Sequence, residues 1–189
     1  CSDLTDVTIP EGVTAIGRFA FKNSGLQNIS LPNSITSVGG YAFDGCESLN
    51  YKYENNAGYL GNAENEYLVL WLASKGSSNV QINENTKVIA DGAFMGCTDM
   101  SSITIPESVT HIGVQAFFNT GLTSVVIPDG VTSVADYTFG NCRSLTSVTM
   151  PNGVTSIGNG AFNGCRQLEY ISLPNSLYST FSSVEKTIG

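Results

Sequence analysis

Five cysteines and one histidine are the residues whose types could ligate a metal, form disulfides or attack a substrate. They stand at Cys1, Cys46, Cys97, Cys142, Cys165 and His111, with no Cys-x-x-Cys pair and no second imidazole. A zinc site needs closely spaced Cys or His ligands, so this spacing names no metal centre. Nucleophilic catalysis needs a base held against the nucleophile. The lone His111 falls at a solvent-facing slot, and no motif spacing pairs a base with a nucleophile. Glu54, Glu64 and Glu66 lack the spacing of a calcium loop. No catalytic residue, no metal ligand and no cofactor is expected. An odd number of cysteines also argues against a complete disulfide framework. The cysteines do share a register: Cys46, Cys97, Cys142 and Cys165 each lie three residues before Leu49, Met100, Leu145 and Leu168. Such a register predicts buried thiols stacked in a ladder and bonded to backbone carbonyls.

The second chemistry is aromatic. Tyr51, Tyr53, Tyr59, Tyr67 and Trp71, the last the only tryptophan, crowd into residues 51–71 among Asn50, Asn55, Asn56, Asn62 and Asn65. Tyr and Trp offer stiff contact area with a polar handle, and exposed rings stack on sugars or on protein partners. Together with Tyr170 these are the candidate ligand-binding residues. The same five rings could instead cover a flank and restore packing across an irregular segment, and the sequence leaves both readings open.

What must hold these residues in place is a repeat. Prolines fall at 10, 32, 106, 128, 151 and 174, spaced by 22, 74, 22, 23 and 23 residues, and Asn83 fills the same slot 23 residues before Pro106. The unit reads L-x-x-[IV]-x-[IL]-P-x-[GS]-[VI]-T-x-[IV]-G-x-x-A-F-x-[GN]-C-x-x. One copy runs Leu145, Val148, Met150, Pro151, Val154, Ile157, Gly158, Ala161, Phe162, Gly164, Cys165. Alternation as in Val7-x-Ile9 predicts a short half-buried strand ended by the proline. A second extended piece, as in Val131-x-x-Val134, runs back on the other side. The glycine then permits a corner, and Ala-Phe plugs the interior. Phe19, Tyr41, Phe118 and Tyr137 lie near that corner and are expected to be partly buried. A copy this short cannot bury its own apolar face, so neighbours must stack into a solenoid.

The expected architecture is mainly β. Short parallel strands lie on concave and convex sides, joined by tight turns or short helical turns. The boundaries are about 4–25, 26–48, an irregular 49–79, 80–99, 100–121, 122–144, 145–167, and 168–189 as a partial copy or cap. An inserted β-hairpin at about 51–72 is expected to extend the sheet. Cys1 precedes Leu4 as the other cysteines precede their Leu or Met, so residues 1–189 are expected to form a single solenoid domain cut from a longer chain. The concave strands expose hydroxyls and amides, with Tyr170 their one aromatic.

Charge narrows the partners. Lys and Arg total 8 against 16 Asp and Glu, a formal net charge of −8, with no basic run to neutralise phosphates. Nucleic acid is therefore not an expected partner, nor is an anionic membrane surface, and no apolar run is long enough to insert in a bilayer. Only 13% of residues are charged, and 22 Ser, 17 Thr and 17 Asn fill the gap, a surface suited to an exported protein.

The motifs L-x-x-[IV]-x-[IL]-P, V-T-x-I-G and A-F-x-[GN]-C resemble those of the BspA-like family of leucine-rich repeats, over about residues 1–50 and 80–176. The resemblance implies a curved solenoid with a parallel sheet on its concave face. It also implies a bacterial surface or secreted protein, with members associated with attachment to host proteins or other cells. The resulting expectation is a monomeric, non-catalytic, extracellular binding or adhesion module. Its partner would be a host extracellular protein or a surface glycan. The alternative is a structural spacer that displays other domains and binds nothing itself.

Overall fold

A computed structural model describes residues 3–177; Cys1 and most of the expected cap, from residue 178 on, lie outside the described residues. The first copy contributes β1 (Asp6–Thr8) and β2 (Ala15–Ile16), and the second β3 (Asn28–Ser30) and β4 (Ser37–Val38). The irregular segment gives β5 (Lys52–Glu54), β6 (Ala57–Leu60) and β7 (Val69–Ala73). Then come β8 (Val88–Ile89), β9 (His111–Ile112), β10 (Ser124–Val126), β11 (Ser133–Val134), β12 (Ser147–Thr149), β13 (Ser156–Ile157) and β14 (Tyr170–Ser172).

Two parallel ladders result. The first joins β1 to β3, and β10 to β12 to β14, pairing Asp6 with Asn28 and Ser124 with Ser147 and then Tyr170. The second joins β2 to β4, β8 to β9, and β11 to β13. The register shift equals the repeat length, so each motif residue sits on its counterpart one rung away. The proline slot opens a turn in which its carbonyl accepts the N–H three residues on, as in Val109 to Pro106 at 3.0 Å. Asn83 makes the same turn with Thr86, also at 3.0 Å. The motif threonine donates its hydroxyl to the rung before: Thr36 to Thr14 O, Thr110 to Lys87 O, Thr155 to Thr132 O. Inside, Phe94, Phe117, Phe139 and Phe162 stack at 4.8, 5.4 and 5.6 Å with planes within 11°. Phe21 and Phe43 do the same at 5.6 Å.

The motif glycine serves a different end from the corner expected of it. A Cβ on Gly39, Gly113 or Gly158 would stand 2.6, 2.6 or 2.5 Å from the backbone nitrogen of Arg18, Asp91 or Asp136 in the preceding rung. Glycine is there because neighbouring rungs approach too closely for any side chain, not because the turn demands a left-handed residue.

The insertion is more than a hairpin laid on an edge. β5, β6 and β7 form an antiparallel three-stranded unit, and β7 continues in parallel into β8 and β9. Every residue of β6 is buried. Two apolar clusters flank this sheet. Val69 and Trp71 of β7, Leu60 of β6 and Val88 of β8 face the cluster of the N-terminal rungs. Leu70, Ala73, Tyr59, Ala57 and Ile89 face the cluster of the C-terminal rungs. Strand alternation thus gives a shared wall between two coils. Val88 shows the effect, since its counterparts Ala15, Ser37, His111, Ser133 and Ser156 are exposed whereas it is 1% exposed. The second coil is hung from the first by Asp91, whose N–H bonds Val38 O and whose carboxylate accepts Gly40 N and Val114 N.

Candidate functional site

The thiols form the expected ladder. Cys46, Cys142 and Cys165 donate to Phe21, Phe117 and Phe139 carbonyls at 2.9, 3.0 and 3.0 Å, each one rung back. Where the neighbouring rung carries Ser24 or Thr120 in the cysteine slot, its hydroxyl lies 3.2 or 3.1 Å from Cys46 or Cys142 sulfur. Cys97 is 4.0 Å from Ser74 O, in the irregular rung. Burial pushes the Cys97 and Cys142 thiols up, and Cys165 is pushed up from 9.0 to about 12. Thiols that resist ionisation are poor nucleophiles. Iodoacetamide at about pH 8.5 is therefore expected to leave Cys142 and Cys165 unlabelled in the native protein and to label both after denaturation. The linkage sign follows from the raised folded value. Stability from Cys165 is complete below about pH 9 and is lost as the pH climbs towards 12, where only the unfolded chain ionises freely.

His111 is exposed, with Nδ1 2.9 Å from Thr110 Oγ1, and no carboxylate among the described residues is bonded to it. Among the described residues no three His, Cys, Asp or Glu side chains gather as a metal site.

The six candidate aromatics separate into three environments. Tyr51 and Tyr53 are 43% and 52% exposed, meet edge to face at 6.4 Å, and Tyr53 OH lies 2.5 Å from Ser74 Oγ. Asn50 N–H bonds Gln27 O as Gln27 N–H bonds Thr5 O, so Tyr51 follows in the slot that Asn28 and Tyr170 hold in other rungs. Tyr170 is 60% exposed on β14. Tyr67 and Trp71 are half-buried. Tyr67 donates to Glu54 Oε2 at 2.6 Å, which with burial holds its phenol above the ordinary range, and Lys52 lies against its ring. Trp71 turns its edge onto Phe43 at 5.8 Å and Tyr51 onto Trp71 at 5.5 Å, and Trp71 Nε1 is buried without an acceptor.

Tyr59 is in none of these exposed settings. It is 1% exposed in the wall, donating to Gln81 O at 3.2 Å and accepting Asn83 N–H at 3.1 Å. A ligand cannot touch it in the folded protein, so its part is structural. Ala57-Gly58-Tyr59-Leu60 carries no polar alternation, which is the signature of a strand buried on both faces and the signal that could have placed it.

Three other aromatics are more open than expected. Phe19, Tyr41 and Tyr137 are 44%, 51% and 42% exposed, all with left-handed φ of 62°, 60° and 52°. Gly92 and Gly160 hold the same slot at φ 66° and 60°. A bulky residue in this region stores about 1–3 kcal/mol of strain that glycine avoids.

The fold recurs in solved bacterial proteins. A leucine rich cell surface protein from Faecalibacterium prausnitzii is 26% identical over 100% of this chain, with a TM-score of 0.56. A leucine-rich repeat protein from Eubacterium ventriosum is 24% identical over 91% of it, with a TM-score of 0.54. The chain spans 64% and 55% of these two proteins. Among curated proteins nothing matches. Residues 1–64 and 72–184 match the BspA type leucine rich repeat region in six copies, the break falling on the wall, and the chain belongs to that family.

Proposed function

We propose that this chain is a non-catalytic binding or adhesion module, displayed outside the cell, that recognises an extracellular protein or a surface glycan. The observation behind it is three tyrosines that stand open to solvent among Ser, Thr and Asn, Tyr51 and Tyr170 in matching first-ladder slots and Tyr53 on the adjoining β5. Exposed tyrosines supply contact area at low entropic cost, and hydroxyls and amides supply polar complementarity. The relative named as a cell surface protein supports the location.

The test is a binding screen of the chain against immobilised extracellular proteins and surface glycans, beside a Tyr51→Ser, Tyr53→Ser variant. Tyr51 packs on Trp71 at 5.5 Å, so the variant's melting temperature is recorded beside its binding. Retained folding with at least about tenfold weaker binding, about 1.4 kcal/mol or more, is the expected result. Undiminished binding would remove these two residues from the site.

One observation favours the spacer alternative. Many polar groups on this face are already bonded to one another: Asn28 Nδ2 to Asp6 Oδ1 at 2.7 Å, Asn50 Nδ2 to Asn28 Oδ1 at 3.0 Å, Thr146 Oγ1 to Thr123 O at 2.9 Å. No partner at high micromolar concentration would leave the spacer standing.

A further inference from the structure

We propose that the cleft where the two coils meet is a binding site for an acidic sugar residue of a glycan. This goes beyond the first-ladder reading, because the site lies at the Ala-Phe corners and uses none of Tyr51, Tyr53 or Tyr170.

The cleft has a cause in the sequence. In regular rungs five residues separate the buried second-ladder position from the phenylalanine, as from Val38 to Phe43 or Ile89 to Phe94. In the irregular rung Leu70 holds the first place, its carbonyl accepting Ala90 N–H as Ile89 O accepts Gly113 N–H. Ala73 holds the second, its N–H bonding Ala93 O as Phe21 N–H bonds Ala42 O. Only three residues separate these two, so the corner is cut short by two and lacks the slot that carries Phe19 and Tyr41. In the next rung that slot is Gly92, which has no side chain. The missing corner and the glycine together open a cavity of about 290 Å3. That is close to the lower bound of about 300 Å3 for small-molecule sites and suits one ring-sized group.

The lining says what kind of group. Arg18, Tyr41, Trp71, Lys75, Asp91 and Gln115 stand around the cleft. Phe19 and Tyr41 stack at 5.7 Å and 20°, and the row they begin is interrupted at the cleft. A pyranose ring, with C–H groups on its faces, would continue the stack against Tyr41. Arg18 lies 4.6 Å over the Phe19 ring, and neither Arg18 nor Lys75 has an ion-pair partner among the described residues. In a chain with half as many cations as carboxylates, two unpaired cations at one cleft mark a place for an anion. Asp44, which also lines the cleft, is paired with Lys22 at 2.7 Å, and Asp91 faces Arg18, so of the charges gathered here one positive charge is left over for an anion. Gln115 can bond sugar hydroxyls. An acidic peptide would share the charge but brings more than one ring-sized group to a cavity of this size.

Tyr41 gives an unusual handle. It stands in left-handed backbone where glycine stands at 92 and 160, so Tyr41→Gly removes the stacking face while relieving strain. The single tryptophan lies in the wall and reports on occupancy.

The experiment follows Trp71 emission and, in parallel, the heat of binding. Three probes are titrated: a glucuronic-acid-containing tetrasaccharide, a neutral glucose tetrasaccharide, and an Asp/Glu-rich octapeptide containing one tyrosine. The acidic saccharide should bind saturably, weaken at least about threefold between low and high salt, and exceed the neutral one by at least about tenfold. Tyr41→Gly should lose about tenfold or more with an undiminished melting temperature, and Lys75→Gln about threefold. Tyr170→Ser, on the first ladder and away from the cleft lining, should bind the saccharide as the natural sequence does. Neither heat nor emission change at about 10 mM saccharide overturns the proposal. So do equal binding of the neutral sugar, preference for the peptide, or unaltered binding by Tyr41→Gly. Loss of the saccharide in Tyr170→Ser moves recognition to the first ladder and overturns the cleft assignment alone. A positive protein screen beside a silent cleft likewise leaves the adhesion reading untouched.

Discussion

Replacing Phe117 by alanine is expected to lower stability by about 3–5 kcal/mol, a large part of what a domain of this size possesses. The ring is fully buried and sandwiched, 4.8 Å from Phe94 and 5.4 Å from Phe139. Truncation removes two stacking contacts at once and leaves a void between them. The rungs cannot slide together to fill it, because backbone bonds such as Phe117 N–H to Thr138 O and Phe94 N–H to Ala116 O fix their spacing. Among the described residues Phe162 stacks on Phe139 alone, and it is only half-buried, so Phe162→Ala should cost clearly less. Urea melts of the three proteins decide the matter. A Phe117→Ala midpoint equal to that of the natural sequence would remove the phenylalanine from the interior role given to it.

The second large effect is expected at Tyr59, where alanine should cost about 3–5 kcal/mol and phenylalanine about 1–3 kcal/mol. The smaller substitution keeps the ring but leaves Asn83 N–H without its acceptor and Gln81 O without its donor. The larger also opens the wall, and so should change how the chain unfolds as well as how easily. Trp71 belongs to the N-terminal cluster, whereas most of the backbone signal comes from the C-terminal rungs. In Tyr59→Ala the fluorescence and circular dichroism transitions should separate, while in the natural sequence they should coincide. Coincident curves in both proteins would mean that the two coils are coupled elsewhere, with Asp91 the next residue to test.

These two residues also show where sequence reading succeeds in this fold and where it stops. Phe117 was legible because a repeat restates each interaction: the same residue in the same slot of neighbouring rungs must meet its own copy. The cysteine ladder and the turn at Asn83 were legible for that reason. Tyr59 was not, because the insertion breaks the period and its partners, Gln81 and Asn83, are fixed by a fold-back that no second copy repeats. The residues of β6 and β7 serve two cores at once, which reads locally as a plain apolar run. The corner shows a third case. Ala-Phe announced it, but the left-handed backbone of Phe19 and Tyr41 and the shortening between Leu70 and Ala73 emerge only when rungs are aligned in space. The candidate site was legible as a crowd of aromatic residues around 51–71, and its division into buried and open rings was not.

The ladders have a mechanical consequence. Tension applied along the long axis of such a coil pulls rungs apart broadside, loading a few hydrogen bonds at a time, and each released rung of 22–23 residues lengthens the tether by about 70 Å. The regular parts would therefore yield one rung after another at low force. The antiparallel unit of β5, β6 and β7, with β6 and β7 packed between two cores and β7 bonded to β8, interrupts that sequence. A tether anchored at one end would peel as far as this segment and halt there, so the insertion sets how far the protein can stretch before its other half feels the load.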